Sequence, residues 1–232
     1  FSLIGVLISV GIGGGLSYSG QRVLIEGETF VNNLAGYDSI SPGTFFSEKQ
    51  LTPFSVTLDK FNVIFDIRNQ TNIGTPLDFK ANVTSKIGAE GKPTAGVIRV
   101  NEPLELPNAN LYLTGNGYAP VITVRDADGN VSFSGPTAFL PQDKNYTSLG
   151  VIKVTDVPKQ YGIISFFYPT VGTLDSGALT SLYPDAAIPL LSMNVYEGDL
   201  GINGGQPKNV FSLDTQNMKQ IAGGKSGVKG LR

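Results

Sequence analysis

Apolar and polar residues alternate with a period of two through most of this chain, and this pattern constrains its fold more than any other feature. In the stretch FSVTLDKFNVIFDI, the apolar residues from Phe54 to Leu58 share one face, and those from Phe61 to Ile67 alternate in the opposite phase. A side-chain period of two is that of a β-strand. The change of phase at the intervening Asp-Lys pair predicts a β-bulge or a bend.

Further strands are predicted along the rest of the chain. DFKANVTSKI alternates, VITVRDADGNVSFSG resembles two strands joined by an Asp-Gly turn, and LGVIKV, YGIISFFYP and LLSMNVYEG are short apolar runs. One stretch, DTQNMKQIAGG, predicts a short helix with Asp214 or Thr215 as N-cap and Gly223 as C-cap. We therefore expect an all-β fold, with an antiparallel β-sandwich or barrel-like sheets and one short helix.

The chain opens on an apolar run, FSLIGVLISVGIGGGL, with no charged residue before Arg22. As a helix, 16 residues reach about 24 Å, slightly short of a hydrocarbon core of about 30 Å. We interpret residues 1–19 as the end of a transmembrane helix; a signal or anchor remnant and a buried strand or loop remain alternatives. A β domain is expected over residues 20–232, incomplete at its C-terminal end.

Composition excludes several kinds of chemistry. The chain has no Cys and no His, which removes Cys and His nucleophiles, the Ser-His-Asp triad and the usual zinc sites. A net charge of −2 gives no overall field that attracts nucleic acid. Glu197 and Asp199 lie two apart, an arrangement more typical of solvated charge than of a glycosidase pair. We expect no catalytic residue and no metal site in this chain.

Two other motifs are candidate sites. DADGN resembles part of a calcium loop, but Gly129 stands fourth and Gly135 falls where a Glu is needed, so a hairpin turn is favoured. YGIISFFYPTVG concentrates aromatic residues, which indicates either a buried strand or a surface for a partner or bilayer interface. The candidate partner-contact residues are Phe166, Phe167, Tyr168 and Tyr183.

Several stretches in order carry a resemblance. They are GQRVLIEGETF, SPGTFFSEKQLTPFSVTLDKF, GYAPVITVRDADG, PTAFLPQDKNYTSLGVIKV, SLYPDAAIPLLSMNVYEGDLG and FSLDTQNMKQI. Together they resemble the ResB-like family of cytochrome c biogenesis proteins, in its actinobacterial style. The resemblance implies a membrane protein with four transmembrane helices and a large extracytoplasmic domain between the third and the fourth. The apolar opening would be the end of the third helix.

The resemblance also implies a process and partners. The family works with a ResC-type membrane protein to move haem outward and join it to apocytochrome c through thioether bonds. Relatives often carry His where this chain has Glu102 and Asn116, so we expect no haem-binding residue and no cofactor bound by this segment, with haem handled by the complex. The expected location is the cell membrane, with this domain on the extracytoplasmic side.

Three functions follow from these observations. The first is a non-catalytic scaffold or binding domain that holds apocytochrome c, the ResC-type partner or both. The alternative is a membrane-anchored β-sandwich that binds carbohydrate or a surface polymer, against which the absence of Trp counts modestly. A hydrolase using Asp and Glu is a third possibility, and it requires two carboxylates in one cleft.

Overall fold

A computed structural model describes the backbone of residues 2–9 and the full structure of residues 18–68, 73–155, 157–201 and 211–224. Among these residues the chain is nearly all-β with antiparallel strands, which confirms the predicted fold class. Two compact units divide the chain between positions 116 and 117, and each has its own core of buried residues.

The first unit is built from antiparallel strands of 3 to 12 residues and two 3₁₀ turns. Its strands are β1 (Ser2–Ser9), β2 (Tyr18–Ile25), β3 (Thr29–Val31), β4 (Ser39–Pro42), β5 (Phe54–Phe65), β6 (Pro76–Ile87), β7 (Thr94–Arg99), β8 (Leu104–Leu106) and β9 (Ala109–Tyr118), whose last two residues belong to the second unit. The 3₁₀ turns span Leu34–Gly36 and Glu48–Gln50. One sheet has the order β3-β5-β6-β7, and another places β1 between β9 and β2, with β4 beyond β2 and β8 on β9.

The predicted change of phase is present in β5. Phe54 and Leu58 are buried, two exposed residues follow, and Phe61 is buried again. The register with β6 shifts between Leu58 and Lys60, as in a β-bulge. The extra residue turns the second half of β5 over, so that its apolar side chains still face the core.

The second unit contains the remaining strands. They are β10 (Val121–Arg125), β11 (Val131–Pro136), β12 (Phe139–Pro141), β13 (Ser148–Val154), β14 (Tyr161–Tyr168), β15 (Val171–Thr173), β16 (Leu179–Ser181), β17 (Leu190–Glu197) and β18 (Lys219–Ala222). A sheet runs in the order β12-β13-β14-β17-β18, and β10–β11 and β15–β16 form separate hairpins. The predicted hairpin with an Asp-Gly turn is confirmed, and Gly129 there has φ +87°.

The predicted short helix is wrong. Residues Lys219–Ala222 form strand β18, which pairs with β17 from Val195 to Glu197. The Asp214 carboxylate accepts a hydrogen bond from the backbone of Gln216, 3.0 Å away, and so closes a local turn in place of a helix cap. Pairing with the edge of β17 outweighs the weak helical spacing of so short a stretch.

The opening run also differs from the expected transmembrane helix where it is described. Ser2–Ser9 is strand β1, paired with β2 from Leu3 opposite Ile25 to Ser9 opposite Ser19. The glycine of this run disfavours a helix in water, and its β-branched residues suit a strand. Residues 10–17 lie outside the described residues. In the part of the chain that is described, no helix has the length and apolar character needed to cross a membrane.

Candidate binding cleft

A cleft of about 680 Å³ lies in the second unit, between the hairpin β10–β11 and one end of strands β13, β14, β17 and β18. Its volume is in the range of small-ligand pockets. The void in the core of the first unit measures only about 10 Å³, which is room for one water at most. The cleft is therefore the better candidate for a ligand.

The floor of the cleft is aliphatic. Val154, Ile163 and Val195 line it and are 1%, 4% and 5% exposed. They converge because β13, β14 and β17 are neighbours in the sheet, with Ile163 directly opposite Val195. Partly buried Tyr161 and Ile221 extend this apolar floor toward the solvent.

Two cations stand at the rim. The Arg125 guanidinium donates a hydrogen bond to the Gly129 carbonyl at 3.0 Å, and among the described ion pairs it has no carboxylate partner. Lys159 is different, because its ammonium lies 3.0 Å from the Glu197 carboxylate. That hydrogen bond raises the pKa of Lys159. Arg125 is thus the rim cation available for an acidic group on a ligand.

The Asp126 carboxylate at the rim is used by its own turn. It accepts hydrogen bonds from the backbone N–H groups of Asp128 and Asn130 and from the Asn130 side chain, at 2.8 to 3.0 Å. The bonds from Asn130 are the main cause of the lowered pKa of Asp126. This loop is a hairpin turn held by Asp126, which leaves that carboxylate little capacity to bind a cation.

A second hollow of about 450 Å³ adjoins the cleft and shares Lys159 with it. Glu197 and Asp199, weighed above as a carboxylate pair, both line this hollow. Glu197 is paired with Lys159, and Asp199 accepts a hydrogen bond from the backbone of Gly201 at 2.7 Å. Both carboxylates are therefore held by the protein itself, and this favours binding over acid–base chemistry. Within the described residues, no group of three or more acidic side chains could hold a metal ion.

The four candidate partner-contact residues lie outside this cleft. Phe167 and Tyr168 are both 7% exposed, so they form part of the protein interior. Phe166 stacks on Tyr168 with ring centroids 6.5 Å apart, and it is half-buried, as is Tyr183. Only Phe166 and Tyr183 of this set reach the surface, and partner contact by them stays a prediction.

Sequence reasoning missed the residues that form the cleft. Arg125 precedes a predicted hairpin turn, and Lys159 lies in the loop between two predicted strands. Each sat in a recognisable loop, but no signal in the sequence placed the two loops at the same end of the sheet. Their proximity depends on tertiary contacts.

The described residues form an all-β protein with two cores and a ligand-sized, largely apolar cleft. A family model matches residues 1–229, and the chain belongs to the ResB-like family. This confirms the resemblance, and it supports a general role in cytochrome c biogenesis and an association with membranes. Comparison with curated proteins and with solved structures found no significant match.

Proposed function

We propose that this chain is the extracytoplasmic scaffold or binding domain of a ResB-type subunit. It works with a ResC-type membrane partner in attaching haem to apocytochrome c. The observation that carries this proposal is the family match over residues 1–229. The non-catalytic part of the proposal is supported by the carboxylates of the cleft and of the hollow beside it, which are engaged in local hydrogen bonds and an ion pair.

The reacting groups in this process belong to the substrates. A thioether bond forms between a reduced Cys thiol of the apocytochrome and a vinyl group of haem, and this chain has no Cys or His to take part. Its contribution is to hold a polypeptide near the site of attachment. The cleft suits that task because its floor buries aliphatic side chains while Arg125 offers a cation to an acidic group.

The proposed role in haem attachment is tested by covalent haem staining of membrane proteins. A strain without the full-length gene should lose its c-type cytochrome bands, and the intact gene should restore them. A version deleted for residues 20–232 should fail to restore them. Unchanged bands in the deletion strain would reject the proposed function.

The cleft is tested with a matched pair of substitutions in one hairpin. Val131 lines the cleft and is 52% exposed, whereas Val121 is 56% exposed and lies outside the cleft lining. Val131→Asp should reduce the haem-stained bands more than about tenfold, the effect of roughly 1.4 kcal/mol of lost binding. Val121→Asp should leave the bands unchanged at equal protein level on an immunoblot. Equal effects of the two variants would exclude the cleft as the binding site.

A further inference from the structure

An unusually long connection joins two neighbouring strands of the second unit. β14 and β17 are antiparallel partners, with Tyr168 directly opposite Leu190. Two residues are enough to join such strands, yet residues 169–189, 21 in all, separate them here. We call residues 169–189 the excursion; it contains the small hairpin β15–β16.

The excursion is held firmly against the rest of its unit. Ser181 is 2% exposed, and its hydroxyl donates to the Tyr183 carbonyl at 2.9 Å. Asn145 donates its side-chain N–H to the Ser181 carbonyl at 2.9 Å, and the Tyr118 hydroxyl donates to the Pro184 carbonyl at 2.6 Å. These bonds fix the backbone before any partner binds, so little ordering entropy is lost on association.

Three aliphatic side chains protrude from one face of the excursion. Leu174, Leu182 and Ile188 are 52%, 62% and 61% exposed. Thr170 and Ile188 lie opposite each other in a β-bridge, so their side chains are on the same face. Because side chains alternate along a strand, Gly172 and Leu174 are on this face as well. A Cβ atom at Gly172 would lie only 2.4 Å from the Leu182 side chain, so Leu182 covers this glycine on the same face. The three side chains therefore form one apolar patch.

The charge of the excursion itself is negative. Asp175 and Asp185 are the only charged residues of the excursion, which has no Lys and no Arg. The adjoining turn, which contacts Ser181 through Asn145, adds Asp143 and Lys144, and these two charges cancel. An anionic lipid surface would be repelled by this border. A polypeptide segment with aliphatic side chains flanked by lysine or arginine complements both the apolar patch and its acidic edge.

We propose that the excursion docks a basic, aliphatic segment of a partner polypeptide on the patch formed by Leu174, Leu182 and Ile188. The docking surface shares no residue with the cleft. This proposal rests on the proposed function only in assigning the partner to the cytochrome c maturation apparatus. The apolar side chains supply affinity, and the aspartates select the sign of the partner's charge.

Binding is tested on the full-length protein with two synthetic peptides of the same aliphatic core, one flanked by lysines and the other by glutamates. Fluorescence anisotropy should show binding of the lysine peptide alone. Leu182→Asp and, separately, Ile188→Asp should weaken it by about tenfold or more, as loss of a central apolar contact does. Ile64→Asp is the matched control, since Ile64 is 56% exposed and lies in the first unit.

The electrostatic part of the proposal is tested with a separate variant. Asp175→Lys should weaken binding of the lysine peptide and strengthen binding of the glutamate peptide. The proposal would be rejected if the two peptides bound equally well. It would also be rejected if Leu182→Asp and Ile188→Asp both left binding of the lysine peptide unchanged, or if the protein bound preferentially to vesicles of anionic phospholipid. Circular dichroism confirms that each variant is folded.

Haem staining separates this proposal from the proposed function. Bands that are lost in the deletion strain but fully restored by the Leu182→Asp gene would reject the docking surface and leave the maturation role standing. Bands that persist in the deletion strain would reject the maturation role, and the peptide measurement would still decide whether the patch binds a basic segment.

Discussion

At the scale of single residues, a buried amide connects three segments of the first unit. Asn32 is 5% exposed and accepts a hydrogen bond from the Tyr37 hydroxyl at 2.5 Å. Its own N–H groups donate to the Thr52 carbonyl at 2.8 Å and to the Tyr18 hydroxyl at 3.2 Å. Every polar atom of the side chain is used, which is the condition under which a buried amide stabilises a core.

We expect Asn32→Leu to lower the free energy of unfolding by roughly 2–4 kcal/mol, because the Tyr37 hydroxyl loses its amide acceptor and the Thr52 carbonyl loses its donor. Urea denaturation followed by tyrosine fluorescence measures the change. Asn62→Leu, at an exposed position of β5, is the control and should change stability by less than about 0.5 kcal/mol. Equal effects at the two positions would contradict the importance of the network.

At the scale of secondary structure, a glycine makes room for a large core side chain. Gly150 of β13 lies directly opposite Phe139 of β12, and Phe139 is 0% exposed. A Cβ atom at Gly150 would lie 2.4 Å from the Phe139 ring. The ring thus occupies the space that any side chain at position 150 would need.

Gly150→Ala should therefore destabilise the second unit by roughly 1–3 kcal/mol, the usual effect of overpacking a core. Gly135→Ala is the matched control in β11, since a Cβ atom there meets nothing within 4 Å. Thermal unfolding of the two variants measures the difference in their stability. A neutral Gly150→Ala would show that Phe139 can move without loss of packing.

The strands of this protein were largely predictable, and particular residues show why. Leu58 and Phe61 have opposite phase in the sequence, and the structure has a register shift between them. By contrast, the stretch ending at Ala222 has only two apolar residues at helical spacing, and a strand forms there because β17 offers an edge to pair with. A long stretch with a regular pattern determines its own secondary structure, whereas the secondary structure of a short stretch is determined by the elements next to it.

At the scale of the whole molecule, the lack of histidine and cysteine limits how pH can act on stability. The side-chain types present titrate below about pH 5 or above about pH 10. Burial, followed by the hydrogen bond with Tyr18, raises the pKa of Tyr37 in the first unit. Burial, followed by the charge of Asp185, raises the pKa of Tyr118 in the second. Both hydroxyls stay protonated in the folded chain at pH values where an unfolded tyrosine ionises.

Stability should consequently be flat between about pH 6 and pH 9 and fall above about pH 10. Above that pH the unfolded chain binds fewer protons than the folded chain, so the free energy of unfolding decreases as pH rises, by about 1.4 kcal/mol per pH unit for Tyr37 alone. Urea midpoints across this range test the expectation. Tyr37→Phe should make the alkaline slope shallower, and a transition centred near neutral pH would contradict the prediction.

The candidate site was much less predictable than the strands. Composition excluded Cys and His chemistry and the resemblance implied a binding role, but the aromatic residues predicted for partner contact include Phe167 and Tyr168, which pack in the interior. Alternation shows which side chains share a face of a strand, yet it does not show whether another layer covers that face. The rim of the cleft, with Arg125 and Lys159, joins two loops that are far apart in the sequence.

The sequence by itself determined the all-β class, the phase change in β5, the Asp-Gly hairpin and the ResB-like resemblance, because each depends on neighbours within a few residues or on motifs in order. Only the tertiary structure decided the two cores, the strand at residues 219–222, the cleft and the apolar patch of the excursion. These depend on which strands pair and which faces are covered. Pairing over long sequence separations is set by the combined burial of many side chains, and no local pattern encodes it.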